Sequence, residues 1–313
     1  MTLPGSNCEN LFLGVDGGQT STNALIGDAT GRVLASGRGG PSNHVRAALG
    51  RERLAQAVGS AVTEACEQLG CPRESIEFQA ACLGFTGGIT DKEAVLREVI
   101  RTRSMLVTDD VVIALAGAHE DGTGVVTIAG TGSVAMARNA SGDTAMAGGW
   151  GYMFGDDGAA WGIVREALRA AFRCKEGWGP KTRLHDLFLE QSGDGDIHVF
   201  RRRLYTEDYP RPRIASFSQL VSQAAREGDE VAIEVLKGAA DSLATLTGVV
   251  RDRIFPPLQT VDAAYAGGTF ASEVLLNHFR RKVEHDYHVR VVEPRHNAAM
   301  GALLEAIRQG QAK

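Results

Sequence analysis

Apolar residues near the start of the chain occur in short runs, each of which ends in a turn of glycine and polar residues. The runs are LFLGV (11–15), TNALIGD (22–28) and VLASGRG (33–39). Short apolar runs bounded by such turns are typical of β-strands. We therefore predict three consecutive antiparallel strands, with the glycine pair at 17–18 taking positive φ in the first hairpin.

Residues 51–69 instead place apolar side chains three and four positions apart, which predicts an amphipathic helix. A strand over 77–88, a short helix over 91–101 and a strand over 104–109 follow. The second half is richer in helix. Further helices are predicted over 158–173, 182–192, 216–227, 229–254 and 297–309, and further strands begin at 260 and 287. The strand that begins at 260 leads through Gly267–Gly268 into a helix capped at Thr269 or Ser272.

The pattern of strand, hairpin and strand occurs a second time. Residues 124–151 again give an apolar strand, a Gly/Thr/Ser hairpin, a strand, a glycine turn and a strand. DGGQT (16–20) takes the place of AGTGS (129–133). A repeat of this kind predicts two related domains, although any two three-stranded meanders share part of the pattern.

Length and charge narrow the class of protein. The chain has 313 residues, of which 43% are hydrophobic and 23% charged, and its net charge is −5. These values suit a globular protein and give no basic surface for nucleic acid or an acidic membrane. Without a signal peptide or a long apolar run, the sequence predicts a cytoplasmic protein with no membrane partner. The five scattered cysteines predict free thiols, since they fit neither a zinc site nor a disulfide framework.

Three glycine-containing turns follow predicted strands, at 17–18, 130–132 and 267–268. Backbone N–H groups in such turns can approach phosphate oxygens closely, and the neighbouring threonine and serine hydroxyls add donors without charge. Asp16, at the tip of the first strand, suits such a site if Mg²⁺ bridges it to the phosphates. Nucleotide binding is the favoured interpretation, and three ordinary tight turns are the alternative.

Two acidic segments are candidates for the chemistry. Asp109 and Asp110 end a predicted strand, and transfer of a phosphoryl group to an alcohol needs a carboxylate near the attacking hydroxyl. Adjacent strand residues point to opposite faces, so one of the two is expected to face the site; helix capping is the alternative. The segment 148–162 sets tryptophans beside Asp156, which suits a sugar, although an ordinary helix start would look similar.

Other nucleotide-binding motifs are missing from the sequence. It contains no G-x-x-x-x-G-K-[ST] phosphate loop and no G-x-G-x-x-G between a strand and a helix. The H-R-D catalytic loop of protein kinases is missing as well. These classes of nucleotide-binding protein are therefore excluded.

Six motifs occur in order over nearly the whole chain: VDGGQTST, CLGFTGG, VTDDVVIAL, VVTIAGTGS, GGWGYMFGDDG and AYAGGTFAS. They resemble the N-acetylglucosamine kinase group of the BadF/BadG/BcrA/BcrD-type ATPases, in the actin-like, sugar kinase and Hsp70 superfamily. The resemblance implies an α/β fold of two ribonuclease-H-like domains with an ATP and sugar cleft between the domains. The first domain is residues 1–113, with the helix 297–313 packed back on it, and the second is residues 114–296. It implies an ATP-dependent kinase acting on the 6-hydroxyl of a sugar, with Mg²⁺ as cofactor, and leaves a homodimer open.

The resemblance also assigns roles to single residues. The base is Asp110, because D-x-x-x-A-L places Ala114 and Leu115 after it, and Asp16 is the acid on the magnesium side. Phosphate binding falls to Gly17, Gly18, Gln19, Thr20, Gly130, Thr131, Gly132 and Ser133, adenosine binding to Gly267, Gly268 and Thr269, and sugar binding to Asn43, Thr86, Gly149, Trp150, Gly151, Asp156 and Ala160.

Two departures from the group leave the substrate open. Val134 follows GTGS where the animal kinases carry an asparagine that helps to bind the sugar, and Gln19 stands where a third glycine is frequent. N-acetylglucosamine, glucosamine, glucose and N-acetylmuramate all remain candidates. The alternatives are a broad-specificity hexokinase or glucosamine kinase, a sugar-sensing relative, and an ATPase activator with an iron–sulfur cluster, for which the cysteine spacing is unsuitable. The arginines at 201–203, 211 and 213 either reach a phosphate or form a solvated face.

Overall fold

The computed structural model describes residues 8–18, 20–42, 49–87, 91–119 and 121–311. The chain divides into two units, Met1–Thr123 with Pro294–Lys313, and Gly124–Glu293. The boundary at 113/114 expected from the sequence falls inside the helix α3 (Asp110–Ala118). Because α3 packs on the C-terminal helix and on the first sheet, it belongs as a whole to the first unit.

The first unit is a five-stranded sheet with helices on both faces. Its strands are β1 (Phe12–Gly17), β2 (Thr22–Gly27), β3 (Val33–Gly39), β4 (Ala80–Phe85) and β5 (Met105–Asp109), in the order β3-β2-β1-β4-β5. Strand β2 pairs antiparallel with β1 and with β3, as predicted, whereas β4 pairs in parallel with β1 and β5 pairs in parallel with β4. Helices α1 (Gly50–Leu69) and α2 (Lys92–Val99) share a core with one face, and α3 and α11 (Ala298–Gln311) with the other.

Side chains alternate across β1, and the alternation decides which residues face α3. Leu13 and Val15 lie in the core beneath α1, whereas Phe12 lies on the side of α3 and α11. Gly14 is also on this second side, where a Cβ would stand only 2.2 Å from a backbone nitrogen of α11. Asp16 follows the same alternation, so its carboxylate is on the α3 side.

The second unit repeats this strand order. Its strands are β6 (Gly124–Ala129), β7 (Ser133–Arg138), β8 (Thr144–Gly148), β9 (Val261–Ala266) and β10 (Val289–Val292), in the order β10-β9-β6-β7-β8. Again the first three are antiparallel and the last two extend the sheet in parallel. The predicted repeat and the α/β fold class are therefore confirmed.

Seven helices surround the second sheet in the described part of the chain. They are α4 (Ala160–Lys175), α5 (Leu184–Ser192), α6 (Ile197–Arg203), α7 (Arg211–Ser216), α8 (Ser218–Arg226), α9 (Glu230–Ile254) and α10 (Glu273–Asp286). The helices α6 and α7 were not predicted, because seven and six residues are too short to show a helical period. None of the helices in the described ranges is long and apolar enough to cross a membrane.

The prediction that all five cysteines are free thiols is wrong. Cys8 and Cys71 form a disulfide, although 63 residues separate them in sequence. The bond forms because the residues before β1 lie beside the end of α1, a proximity that cysteine spacing does not reveal. Cys66 and Cys174 keep free thiols.

Helices α3 and α11 approach most closely at Gly301, where a Cβ would stand 1.8 Å from the carbonyl oxygen of Ile113. We expect Gly301→Ala to force the helices apart and to lower the free energy of unfolding by about 2 kcal/mol or more. Urea-induced unfolding measures this change.

Gly238, in α9, provides the matched control, because nothing lies within 4 Å of its Cβ position. Gly238→Ala should raise the free energy of unfolding by roughly 0.5–1 kcal/mol through helix propensity alone. If the two substitutions changed stability in the same direction, the close approach at Gly301 would not be the constraint described.

Candidate active site

Three of the expected site residues meet at the carboxyl ends of the parallel strands of the first unit. Asp16, near the end of β1, pairs with Gly84 of β4. Burial raises the pKa of its carboxyl from 3.8 to about 6, and the charge of Asp110 adds to the effect. Asp110 is the first residue of α3, and its Oδ2 accepts a hydrogen bond of 2.7 Å from the Thr86 hydroxyl.

The two adjacent acids Asp109 and Asp110 have different neighbours. Asp109 pairs across the sheet with Phe85, on the side of α2. Burial and the charge of Asp110 raise the pKa of Asp109, whereas Lys92 lowers it. Of the two adjacent acids, Asp110 is the one whose charge acts on Asp16.

Lys92 is a buried cation beside these acids. Its side chain is 2% exposed, and its Nζ lies 4.6 Å from the centroid of the Phe85 ring and 3.4 Å from the carbonyl oxygen of Thr86. Burial lowers the pKa of the amine, an effect that Asp109 and then Asp110 oppose. In the sequence, the one signal was a lysine in the first turn of a helix, where the helix dipole disfavours positive charge.

The acidic pair fits a magnesium ion. Asp16 and Asp110 form no ion pair with any described residue, although Lys92 is near enough for its charge and that of Asp110 to act on each other. Mg²⁺ commonly takes one or two carboxylates and completes its shell with water and phosphate oxygens. If Mg²⁺ binds here, Asp16 would hold the ion directly or through water.

The second hairpin, residues 130–133, is held from several sides. The N–H of Gly130 donates to the carbonyl of Gly132 at 2.9 Å, and the N–H of Ala160, at the start of α4, donates to the carbonyl of Gly130 at 2.9 Å. The N–H of Ser133 donates to Oδ1 of Asp156 at 2.9 Å. Asp156 and Ala160, which were expected to bind sugar, therefore also support the expected phosphate hairpin.

The hairpin glycines provide space instead of an unusual backbone angle. The prediction of positive φ at Gly17 and Gly18 is wrong, since neither residue is in the left-handed region. A Cβ on Gly17 would lie 2.3 Å from the ring of Phe85, and one on Gly132 would lie 3.0 Å from the carboxylate of Asp156. Glycine is needed at Gly17 because the Phe85 ring fills the place of the Cβ, whereas a Cβ on Gly132 would make a tight contact that requires the Asp156 carboxylate to shift slightly.

The third turn is tied to the end of β6. Gly267 has φ of 103°, and a Cβ there would stand 2.3 Å from the carbonyl oxygen of Ala129. The hydroxyl of Thr269 donates to the same oxygen at 2.6 Å. Gly268 has nothing within 4 Å of its Cβ position, so it leaves space open for a ligand.

A cavity of about 300 Å³ adjoins this third turn. Gly268 and Thr269 line it together with Ser218, Gln219 and Ser222 of α8. The polar residues of α8 were not among the candidates from the sequence, because nothing in their spacing places them beside a turn about fifty residues later in the chain. They are further candidates for the adenosine side of the site.

A larger groove, of about 680 Å³, runs between α4 and α9 and is a poorer candidate. Two of its acidic side chains pair with Arg165, which binds Asp157 at 2.6 Å and Glu166 at 3.1 Å. None of the residues expected to bind ATP or sugar lines it.

The glycine–tryptophan loop after β8 presents an aromatic ring to solvent. Gly149 and Gly151 have positive φ of 74° and 81°, and Trp150 between them is 77% exposed. The N–H of Gly149 donates to the carbonyl of Ser133 at 2.8 Å, which ties the loop to the second hairpin. Val134 lies 3.7 Å from the Cβ position of Gly149, so the residue that departs from the animal kinases is beside this loop.

The remaining expected site residues are Gly18, Gln19, Thr20 and Asn43. Gln19 and Asn43 lie outside the described residues. The first hairpin closes through the N–H of Gly18, which donates to the carbonyl of Ser21 at 2.9 Å. Thr20 is exposed at its tip.

The raised pKa of Asp16 predicts that the free energy of unfolding falls as the pH rises. Because the folded pKa of about 6 lies above the ordinary 3.8, the folded state binds the proton more tightly. The resulting stabilisation is present below about pH 4 and is lost as the pH rises through about 6. Asp16→Asn should therefore raise the free energy of unfolding by up to about 3 kcal/mol at about pH 8, and by little at about pH 4.

Thermal unfolding without added metal, followed across this pH range, measures the effect. Asp28 provides a control of opposite sign, because the Thr30 hydroxyl lowers the pKa of its carboxyl. Asp28→Asn should destabilise the protein at the higher pH. Equal stability of Asp16→Asn and the wild type at both pH values would contradict the described burial and repulsion.

Two curated relatives match along almost their whole length. An N-acetylmuramic acid/N-acetylglucosamine kinase of Clostridium acetobutylicum is 30% identical over 304 residues, which cover 94% of this chain and 97% of that protein. An N-acetyl-D-glucosamine kinase of Dictyostelium discoideum is 25% identical and covers 96% of this chain and 98% of its own.

Solved structures share the fold. A putative N-acetylglucosamine kinase from Chromobacterium violaceum superposes with a TM-score of 0.77 at 24% identity, covering 95% of this chain and 99% of that one. A ROK family glucokinase from Streptomyces griseus, solved with glucose and AMPPNP, superposes with a TM-score of 0.58 at 19% identity, covering 97% and 100%.

A family model extends over the same region and agrees with the resemblance read from the motifs. It is the model of the BadF/BadG/BcrA/BcrD ATPase family, and it matches residues 13–306, nearly the whole chain. The match includes all strands and helices that carry the expected site residues. The chain therefore belongs to the BadF/BadG/BcrA/BcrD ATPase family.

Proposed function

We propose that this chain is an ATP-dependent sugar kinase that transfers the γ-phosphate of ATP to the 6-hydroxyl of N-acetylglucosamine or a related hexosamine or hexose. The proposal depends on the position of Asp110 at the start of α3. There its carboxylate accepts a hydrogen bond from the Thr86 hydroxyl, and its charge raises the pKa of Asp16. One carboxylate is thereby available to accept a proton while the other is available to a metal ion.

In the proposed reaction Asp110 accepts the proton of the sugar hydroxyl. The sugar oxygen forms a bond to the γ-phosphorus as the bond from that phosphorus to the β,γ-bridging oxygen breaks, and ADP leaves. The hydrogen bond from Thr86 to Oδ2 fixes the rotation of the carboxylate, which leaves Oδ1 for the sugar hydroxyl. A Mg²⁺ ion held by Asp16 would neutralise phosphate charge.

Phosphate binding is proposed for both hairpins. The backbone N–H groups of Thr131 and Gly132 are the candidates in the second hairpin, because those of Gly130 and Ser133 already donate within the protein. In the second hairpin, the backbone donors proposed for phosphate are therefore fewer than the four residues expected from the sequence. The cavity lined by α8 and the third turn is proposed to take the adenosine.

The kind of sugar is proposed from the relatives and from the loop beside the second hairpin. Both curated relatives are named as kinases of N-acetylated amino sugars. The exposed ring of Trp150 offers an apolar face of the kind on which a sugar ring stacks. N-acetylglucosamine is therefore the first candidate, with glucosamine, glucose and N-acetylmuramate next.

A coupled assay of ADP release tests the proposal with N-acetylglucosamine, glucosamine, glucose, mannose and N-acetylmuramate. We expect ADP release that depends on one of the amino sugars, and nuclear magnetic resonance of the product should place the phosphate on the 6-oxygen. ADP release at the same rate with and without every sugar would contradict the kinase and would favour an ATPase activator.

The same assay with Asp110→Asn tests the assigned base. We expect kcat to fall by about 10²-fold or more, the usual contribution of general base catalysis, while sugar binding measured by calorimetry is retained. Asp109→Asn is the matched control, since it removes the adjacent charge on the other side of the strand, and its effect should be much smaller. Turnover by Asp110→Asn within about tenfold of wild type would remove Asp110 from this role.

A further inference from the structure

Arg211 links the helical region of the second unit to the second hairpin. It is the first residue of α7, and its Nη2 donates to Oδ2 of Asp156 at 2.9 Å and to the carbonyl oxygen of Thr131 at 3.3 Å. The guanidinium carbon lies 4.8 Å from the centroid of the Tyr152 ring. Arg211 thus differs from Arg201 and Arg202, which are exposed as the solvated-face interpretation expected.

Asp156 makes this link strong, because its carboxylate is buried. The side chain is 3% exposed and forms an ion pair with Arg211. A buried carboxylate without a cation is strongly unfavourable, so Arg211 is needed for Asp156 to stay in this position. The backbone of Asp156 has φ of 61°, which a residue other than glycine adopts only when its surroundings hold it there.

The contacts of this ion pair are directed to the hairpin. Oδ1 of Asp156 accepts a hydrogen bond from the N–H of Ser133, and the carboxylate lies 3.0 Å from the Cβ position of Gly132. Arg211 adds a bond to Thr131, between the two ends of the turn. One arginine and one aspartate thereby fix Thr131, Gly132 and Ser133, including the two residues proposed to offer N–H groups to phosphate.

The position of Arg211 is itself fixed by packing. Helix α5, helix α6, the segment before α7 and the residue between α7 and α8 bring together the rings of Phe188, Phe200, Tyr209 and Phe217, with centroids 5.5–6.3 Å apart. Ile214, in the next turn of α7 after Arg211, is buried in the same core. The arginine therefore projects from a rigid base.

We propose that Arg211 is a positioning residue that holds the second hairpin in the conformation required for nucleotide binding, acting through the carboxylate of Asp156. The proposal rests on the proposed function in taking this hairpin as a phosphate site. It predicts that loss of Arg211 weakens nucleotide binding more than sugar binding, because the bonds of the pair hold the hairpin.

Calorimetric titration of the purified protein with ATP tests the proposal without relying on turnover. Arg211→Met should weaken ATP binding by about tenfold or more, the order expected when a charge-assisted hydrogen bond is lost. The KM for ATP should rise in parallel, and by a larger factor than the KM for the sugar. Arg211→Lys should recover part of the affinity, since its ammonium keeps the charge but cannot match the planar guanidinium.

Arg213→Met is the matched control. Arg213 lies in the same helix and donates to the carbonyl of Asp208 at 2.6 Å, away from the hairpin, so its loss should change neither KM. Asp156→Asn keeps an acceptor for Ser133 and removes the charge. In that background Arg211→Met should cost less affinity for ATP than it does in the wild type, because the two residues act as one unit.

Two outcomes would overturn the proposal. One is an unchanged affinity for ATP in an Arg211→Met variant that thermal unfolding shows to be folded. If this variant does not fold, the affinity of Arg211→Lys for ATP is compared with that of the wild type instead. The other is a tenfold rise in the KM for sugar with the KM for ATP unchanged, which would make the pair part of the sugar site. Failure of the proposed function is distinguishable, since no sugar would then increase the release of ADP by the wild type.

Discussion

The repulsion between the carboxylates of Asp16 and Asp110 is the interaction on which the proposed chemistry depends. Burial and this repulsion raise the pKa of Asp16 to about 6, so at neutral pH the protein holds a charge arrangement that a cation would relieve. The fold maintains it through close backbone packing on the same side of the sheet. At Gly14 and Gly301, α11 comes so near to β1 and α3 that no Cβ fits, and α3 carries Asp110.

The two units share a strand order and differ in what they place at their first hairpin. In the first unit the strand ends with an acid, Asp16, and the glycine that follows makes room for Phe85. In the second unit the hairpin is supported by a buried ion pair between Asp156 and Arg211. The metal-side function proposed for one hairpin and the phosphate-side function proposed for the other would account for this difference in one duplicated scaffold.

Much of the fold could be predicted from the sequence, because apolar periodicity and glycine turns report local structure. The antiparallel strands, the repeat and the long helices followed from such patterns, and the motif order indicated the family. Features that depend on distant neighbours could not be predicted in this way. Cys8 meets Cys71 across 63 residues, Lys92 is buried beside acids of another element, and Arg211 reaches Thr131, so each of these pairings exists only once the chain is folded.

The most direct test of the paired carboxylates is the titration of the Asp16 carboxyl by carbon-13 nuclear magnetic resonance in the metal-free protein. The wild type should titrate with a pKa of about 6, and the pKa should fall in Asp110→Asn, because the neighbouring charge is then gone. A pKa near the ordinary 3.8 in the wild type, or one that does not respond to Asp110→Asn, would contradict the central claim that the partly buried carboxylate of Asp16 is repelled by that of Asp110.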